Sequence, residues 1–332
     1  MNETVLNHAV QCYGLKTAQL EPLPGGHFNH VYGFTREGID YVLRITPPND
    51  EIDLHATEAI LDWMSFLSTH AASITRPLLS RNGRLIELIE QDDGFYIVVA
   101  FERAEGALAE QLALDQWSDG LFQNIGRAVG KMHALAGEYV PSAGLVRRPE
   151  WDQGGNLFNE KGDPSQVLIE EKKERLREHI QTLPKDKVGY GLIHTDLHFG
   201  NIYIHIGDNT ITIFDFDDCC YGWFVMDIAV SLFDIMVLFP GADKETFAAR
   251  FLDNYLKGYR IEKPFNTFWI NQLPYFLKLL EIGVYTMVYP YYAANDYDEW
   301  IAKFMADNRK ERIENDIPYT AYPKQASPAI NL

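Results

Sequence analysis

The sequence predicts an α+β chain of two lobes, a small strand-rich N-lobe and a larger, mostly helical C-lobe. Three observations carry this. Up to Glu102 short apolar or alternating segments are separated by glycine turns, around one well-defined helix. After Glu102 the pattern changes to helical periodicity with loop-like interruptions. The length, 332 residues, is enough for two lobes that each bury a core. The boundary falls in RAEGAL (103–108), a polar, glycine-containing stretch between the two compositions, so the lobes are read as residues 1–102 and 103–332.

The elements follow in order. Residues 4–13 predict a short helix. LEPLPGGHFNHVYGFTREGIDYVLRITPP reads as a strand, a turn at Gly25-Gly26, and a strand through Val31 and Phe34. A turn at Glu37-Gly38 and a strand from Tyr41 to Ile45 follow. In DLHATEAILDWMSFLSTH, residues Ala56, Ala59, Ile60, Trp63, Met64 and Leu67 recur at helical spacing and form an apolar stripe. RLIELIE and GFYIVVAFE, joined by Asp92-Asp93-Gly94, read as a hairpin. Residues 118–138 and 163–181 are helical in pattern, with the loop RRPEWDQGGN between them. Tyr190 to Phe216 reads as two short strands around a loop, and Phe224 to Arg312 as mostly helix with a few proline stops. There is no internal repeat and no low-complexity tract.

Composition narrows the function. The net charge is −18, so nucleic acid and anionic membranes are not expected partners. Cys12, Cys219 and Cys220 form neither a disulfide framework nor a CxxC thiolate zinc site. The N-terminus has no basic region followed by an apolar run. The most apolar stretch, VMDIAVSLFDIMVLF, is interrupted by Asp227 and Asp234, so no bilayer span is expected and a cytoplasmic location is.

The densest polar cluster is HTDLHFGN (194–201), and two readings of it stand. In an extended segment His194, Asp196 and His198 share one face, as two histidines and a carboxylate do around iron or zinc. The same residues also read H-x-D-x-x-x-x-N, the spacing of a kinase-type loop with an aspartate base and an asparagine on a metal ion. Phosphoryl transfer makes further demands, in a fixed chain order. Gly25 and Gly26 in LPGGHFNHVY permit a backbone to approach phosphate, though a plain hairpin turn explains them as well. Arg44 is the one charge in YVLRI, and Glu58 lies beside the apolar stripe of the next helix. In ITIFDFDD the run Ile211 to Phe214 reads as a buried strand with Asp215 at its end, where a carboxylate needs a partner such as a cation. The lobe pattern favours the kinase reading over an iron oxygenase barrel.

HTDLHFGN followed by IFDFDD and GWFVMDIA resembles the aminoglycoside phosphotransferase and choline kinase family, the small-molecule branch of the protein-kinase-like fold. The resemblance is specific from His194 to Ala229 and weak in the first lobe. It implies a nucleotide-binding lobe followed by a catalytic and substrate-binding lobe, with ATP and Mg2+ as cofactors. Asp196 is then the catalytic base, Asn201 and Asp215 are magnesium ligands, and Arg44 pairs with Glu58 at the phosphates. Gly25, Gly26 and His27 form the nucleotide loop, and the stretch from Val99 through Phe101 to Glu102 holds adenine by backbone hydrogen bonds. His194 and Asp227 brace the loop, and His198 lies near substrate or phosphate. Arginine at position 44 and Asp217 at the third place of Asp215-Phe216-Asp217 depart from the protein-kinase pattern. Asp217 is open to a metal or substrate role, or to a plain hydrogen-bonded one.

Only DDCCYGWFVM separates the Asp215-Phe216 pair from Asp227 and no A-P-E occurs, which leaves little room for a peptide platform and favours a small hydroxyl acceptor. Glu281, Tyr285, Tyr289 and Tyr292 suggest an amine on that acceptor, bound by charge and cation–π contact; helix core is the competing account. Homoserine, choline or ethanolamine, a methylthio sugar, a fructosamine and an aminoglycoside all stay open. So do a stress-response type of protein kinase and a catalytically silent nucleotide-binding protein.

Overall fold

The computed structural model describes residues 2–23, 29–48, 53–153, 157–158, 162–306 and 308–320. The chain divides into two compact units. The first contains residues 1–106, 139–148 and 212–217; the second contains 107–138, 149–211 and 218–332.

The first unit opens with α1 (Glu3–Cys12), whose first turn is capped by the Asn2 side chain accepting from the Thr4 N–H. The strands β1 (Glu21–Leu23), β2 (His30–Arg36) and β3 (Ile39–Thr46) follow, then α2 (Leu54–Thr69), β4 (Pro77–Leu78), β5 (Glu87–Gln91) and β6 (Gly94–Glu102). They form an antiparallel sheet in the order β1-β2-β3-β6-β4, with β5 also on β6. The turn between β2 and β3 has positive φ at Glu37 and Gly38, as a tight hairpin demands. Along β3 the side chains alternate. Tyr41, Leu43 and Ile45 enter the core with Val5, Ala9, Val10, Ile89, Val98 and Ala100, so Arg44 projects from the opposite face. Two later segments belong to this unit. Residues 139–148 are strapped to α2 by Asp62, which accepts from the Tyr139 hydroxyl at 2.6 Å and from the Ser142 hydroxyl at 2.5 Å. The end of a strand carrying Ile213 is fixed by Ile213 N–H to Ser73 O at 2.9 Å and Thr75 N–H to Ile213 O at 3.0 Å.

The second unit contains β7 (Ala107–Leu108), α3 (Asp119–Ala136), α4 (Val167–Gln181), β8 (Tyr190–Ile193) and β9 (Ile202–Ile204). β10 (Ile211–Ile213) starts in this unit and ends in the first. β11 (Cys220–Trp223), α5 (Phe224–Leu238), α6 (Lys244–Glu262), α7 (Thr267–Ala293), α8 (Glu299–Met305) and α9 (Arg309–Glu314) complete it. β8 pairs antiparallel with β11 and β7 with β9. Between Tyr190 and Phe216 there are thus three strands rather than two, and β4, β7 and β11 are additional to the expected elements. The proline stops also need correction. Pro274 and Pro290 lie inside α7, whose buried residues run from Trp269 to Val288, so packing outweighs the backbone bonds lost at the prolines. α5 is buried from Phe224 to Val237, a helix enclosed on all sides.

α3 and α6 approach until backbone meets backbone. A Cβ on Gly126 would lie 1.9 Å from the Tyr255 carbonyl oxygen, and one on Gly258 would lie 1.8 Å from that of Gln123. Only glycine permits this contact. It brings the Tyr259 hydroxyl within 2.9 Å of His133 on α3. Among the described residues no helix is long and apolar enough to cross a membrane.

Candidate active site

The segment 194–201 joins β8 to β9, and its backbone is held by one polar stripe on the buried α5. Asp227, Ser231 and Asp234 stand at i, i+4 and i+7, on one face of that helix. Asp227 accepts from the N–H groups of His194 at 2.9 Å and Thr195 at 2.8 Å. The Ser231 hydroxyl donates to Leu197 O at 3.0 Å, and Asp234 accepts from Phe199 N–H at 2.8 Å. This grip sustains Thr195 at φ 73°, which a β-branched residue avoids in the absence of constraint. A 3-10 turn then runs from Phe199 to Asn201. The loop is therefore not an extended strand, and the alternation needed for an iron or zinc triad is absent. Among the described residues no group of three or more His, Cys, Asp or Glu is placed to hold a metal ion.

Asp227 has a partner of its own. The buried His133 donates from Nε2 to Asp227 at 2.9 Å and accepts at Nδ1 from the Tyr259 hydroxyl at 2.9 Å. Burial pushes the His133 pKa down despite Asp227, which keeps the ring neutral and fixes this tautomer. The expected brace at His194 and Asp227 thus runs through the His194 backbone amide, and His133 and Tyr259 extend it.

Asp196 stands half-exposed at the tip of the loop. Asn201 Nδ2 donates to its Oδ2 and to its backbone oxygen, both at 2.9 Å, and His198 Nε2 lies 3.4 Å from Oδ2. Burial pushes the carboxyl up, but the rings of His198 and His194 and the Asn201 amide outweigh it and hold its pKa below the ordinary value. Asp196 is therefore ionised at neutral pH. Burial opposes charge on His198 too, yet Asp196, Asp234 and Glu110 push its pKa up to about 9. The Gly200 N–H lies 3.0 Å from His198 Nδ1, and Nε2 is the ring nitrogen that faces Asp196. Because the Asn201 amide nitrogen faces Asp196, its Oδ1 is turned the other way. A carboxamide oxygen beside the Asp196 carboxylate is a hard donor set of the kind that suits a divalent cation.

In the first unit Arg44 donates from one nitrogen to both oxygens of Asp217, at 2.9 and 2.7 Å, and lies 5.6 Å from the Phe101 ring centroid. Burial disfavours its charge, but Asp217 and then Asp215 more than restore it and raise the pKa above the ordinary value. The Arg44–Glu58 pair implied by the resemblance is not formed. Glu58 pairs instead with His55 at 3.0 Å on the outer part of α2, and Asp217 occupies the guanidinium. Arg148 donates to Asp217 O at 2.7 Å, fixing the backbone of the Asp215-Phe216-Asp217 run. Asp215 is exposed with φ 64°, a left-handed conformation that aspartate tolerates. Val99 and Phe101 are not in a linker. They lie in β6, flanked by β3 on one side and by β4 and β5 on the other, so their peptide groups face neighbouring strands. Past them, Glu102 N–H donates to Arg76 O and Arg103 N–H to Asp40 O. Gly25, Gly26 and His27 lie outside the described residues.

The acceptor candidates separate. Glu281 is fully buried between Lys278 at 2.5 Å and Arg309 at 2.7 Å, so both its oxygens already meet internal cations. That is the opposite of an open amine site. Tyr285 is buried and its ring centroid is 5.3 Å from that of the half-buried Tyr289. Tyr292 is exposed and its ring lies 4.9 Å from that of Tyr297.

A fold of antiparallel strands and helices, with an ionised aspartate held on a buried-helix scaffold and an asparagine five residues on, defines a phosphotransferase of the protein-kinase-like class. The chain belongs to the phosphotransferase enzyme family, whose model matches residues 19–265. It is 31% identical over 325 residues to amicoumacin kinase of Bacillus subtilis (strain 168), covering 96% of this chain and 94% of that protein. It is 22% identical over 248 residues to hydroxylysine kinase of Danio rerio, covering 69% and 68% of the two chains. Among solved structures, an amicoumacin kinase in complex with AMP-PNP, Ca2+ and Ami aligns with TM-score 0.86 at 30% identity, over 96% of this chain and 95% of that one. The protein is an enzyme, a small-molecule kinase.

Proposed function

We propose that this enzyme transfers the γ-phosphate of ATP, with magnesium, to a hydroxyl on a small amine-bearing molecule. The observation that carries the reading is Asp196: ionised, half-exposed, and immobilised by Asn201 within a loop whose backbone is tied to α5. A carboxylate so held orients an acceptor hydroxyl and takes its proton at Oδ1 or Oδ2 as the oxygen attacks phosphorus. Asn201 Oδ1 and Asp215 are the metal ligands in this reading, and magnesium supplies charge neutralisation on the phosphates. Arg44, already charged and packed on Phe101, serves the α- and β-phosphates. Gly25, Gly26 and His27 serve the same phosphates, and the chain leaving β6 after Phe101, rather than Val99 itself, meets the adenine. The division of labour falls at residues 102 and 103. The solved relative in complex with AMP-PNP and Ca2+ supports a nucleotide with a divalent metal.

The amine rests on the relatives. Hydroxylysine carries a hydroxyl together with amines, and the amicoumacin kinase match extends over nearly the whole chain. Exposed Tyr292 and Tyr297, next to Asp296 and Asp298, offer aromatic faces and negative charge to a cation. The proposed setting is the cytoplasm, without nucleic acid or membrane partners, where the buried Cys12, Cys219 and Cys220 stay reduced.

The test is magnesium-dependent ADP release from ATP across amicoumacin, hydroxylysine, aminopropanol, choline, homoserine and aminoglycosides, with Asp196→Asn as control. Stimulation by one acceptor, abolished in the variant, is the expected result. Nucleotide binding without stimulation by any of them removes the small-amine reading.

A further inference from the structure

Asp234 and Trp300 are not among the residues assigned above to nucleotide, metal or acceptor. Asp234 is buried on α5, and its two oxygens serve different elements. Oδ2 accepts from the Phe199 N–H at 2.8 Å, in the turn between Asp196 and Asn201. Oδ1 accepts from the Trp300 indole N–H at 3.1 Å, on α8. Its charge also acts on the His198 ring, whose Nε2 lies 3.4 Å from Asp196 Oδ2. One carboxylate thus joins the catalytic turn to a helix that begins 98 residues after Asn201. α8 is itself held by Phe304, fully buried against Phe233 of α5 at 5.7 Å between ring centroids. The indole therefore reaches Asp234 from a seated helix.

We propose that Asp234 and Trp300 form a positioning pair for Asp196, in which the indole orients the carboxylate and the carboxylate fixes the turn that carries the base. The pair makes α8 part of the catalytic scaffold. The proposal rests on Asp196 being the base, but its first test does not. Without the indole N–H, the Asp234 carboxylate gains a rotational freedom that loosens its grip on the Phe199 amide. A small displacement of a positioned group is costly in rate, because alignment supplies much of the acceleration.

The decisive experiment combines hydrogen exchange and kinetics on the full chain. Trp300→Phe keeps the packing ring and removes the donor; Trp300 is half-buried, so the variant folds more readily than one altered at Asp234 itself. Exchange at the Phe199 amide is expected to rise on the order of tenfold in Trp300→Phe, with α5 amides unchanged. ADP release from ATP and magnesium, with water as the acceptor, is then expected to fall about threefold in kcat for Trp300→Phe and about tenfold for Asp234→Asn, at unchanged nucleotide KM. The double variant is expected to be no slower than Asp234→Asn alone, since both changes break one linkage. Unchanged Phe199 exchange in Trp300→Phe overturns the proposal, as does an additive double variant or an effect confined to KM. If the wild-type protein releases no ADP with water or with any of the acceptors above, the reading of the reaction fails, while the exchange result still decides whether the pair holds the turn.

Discussion

The loop 194–201 and the strand-end pair Arg44–Asp217 hold their charges by different means. Around the loop, the groups that grip the backbone are buried: Asp227 and Ser231 at 0% exposure and Asp234 at 6%. Each makes directional bonds to peptide groups. Arg44 and Asp217 meet through one guanidinium nitrogen, with side chains 15% and 43% exposed. Buried bonds to backbone fix a geometry, because breaking one strands a desolvated group. A partly exposed ion pair is weaker and exchanges readily with another anion. On the proposed roles, the group to be aligned, Asp196, is preorganised, while the group to meet a charged ligand, Arg44, is kept charged and replaceable.

Four changes break or sharpen this contrast. Asp196→Asn, which keeps the Asn201 contact and removes the base, is expected to lower kcat by about 10³-fold with nucleotide affinity retained; equal losses in both indicate a collapsed loop instead. Asp227→Ala removes the acceptor for two peptide N–H groups and His133, and is expected to cost about 3 kcal/mol in urea unfolding. A loss under about 1 kcal/mol there would sink the claim that α5 fixes the loop. Arg44→Ala is expected to raise the KM for ATP about tenfold with a small change in stability, measured by steady-state kinetics beside a thermal melt. The smallest effect concerns pH. His133 has its folded pKa below the ordinary 6.5, so its contribution to stability is present above that value. It is lost as pH falls below 6.5, where the unfolded chain takes up the proton. Stability is expected to decline from pH 7.5 to 5.5 by at most about 1.4 kcal/mol per pH unit from this group, and the decline to shrink in His133→Asn.

Much of this arrangement was legible in the chain. Asp196 and Asn201 are five positions apart in one loop, and their contact is local. The α5 stripe was visible too. Asp227 and Asp234 interrupt an apolar run, and that interruption excludes a bilayer span. With Ser231 between them it also spells a helix face aimed at something polar. What the chain does not display is the partner. Arg44 meets Asp217 across 173 positions and His133 meets Tyr259 across 126, so pattern within a window says nothing about either. Glu58 sits on the expected helix yet turns to His55 three positions away, a local competitor the pattern leaves open. Glu281 reads as an acid in a tyrosine-rich helix, and its burial follows from Arg309, which lies two helices further along. The strands β4 and β11, of 2 and 4 residues, are too short to show a period.

The close approach of α3 and α6 through Gly126 and Gly258 carries a consequence for the order of assembly. His133 reaches Asp227 across 94 positions and Tyr259 across 126, and Asp227 in turn reaches Thr195 across 32. Contacts that close long stretches of chain form late in folding, after local helices and hairpins. The loop that carries Asp196 is therefore expected to be among the last features to order, since a chain with its helices formed but α3 and α6 still apart lacks the His133–Asp227 contact. Recovery of activity on refolding is then expected to follow the docking of two glycine-faced helices rather than the formation of the loop's own local bonds.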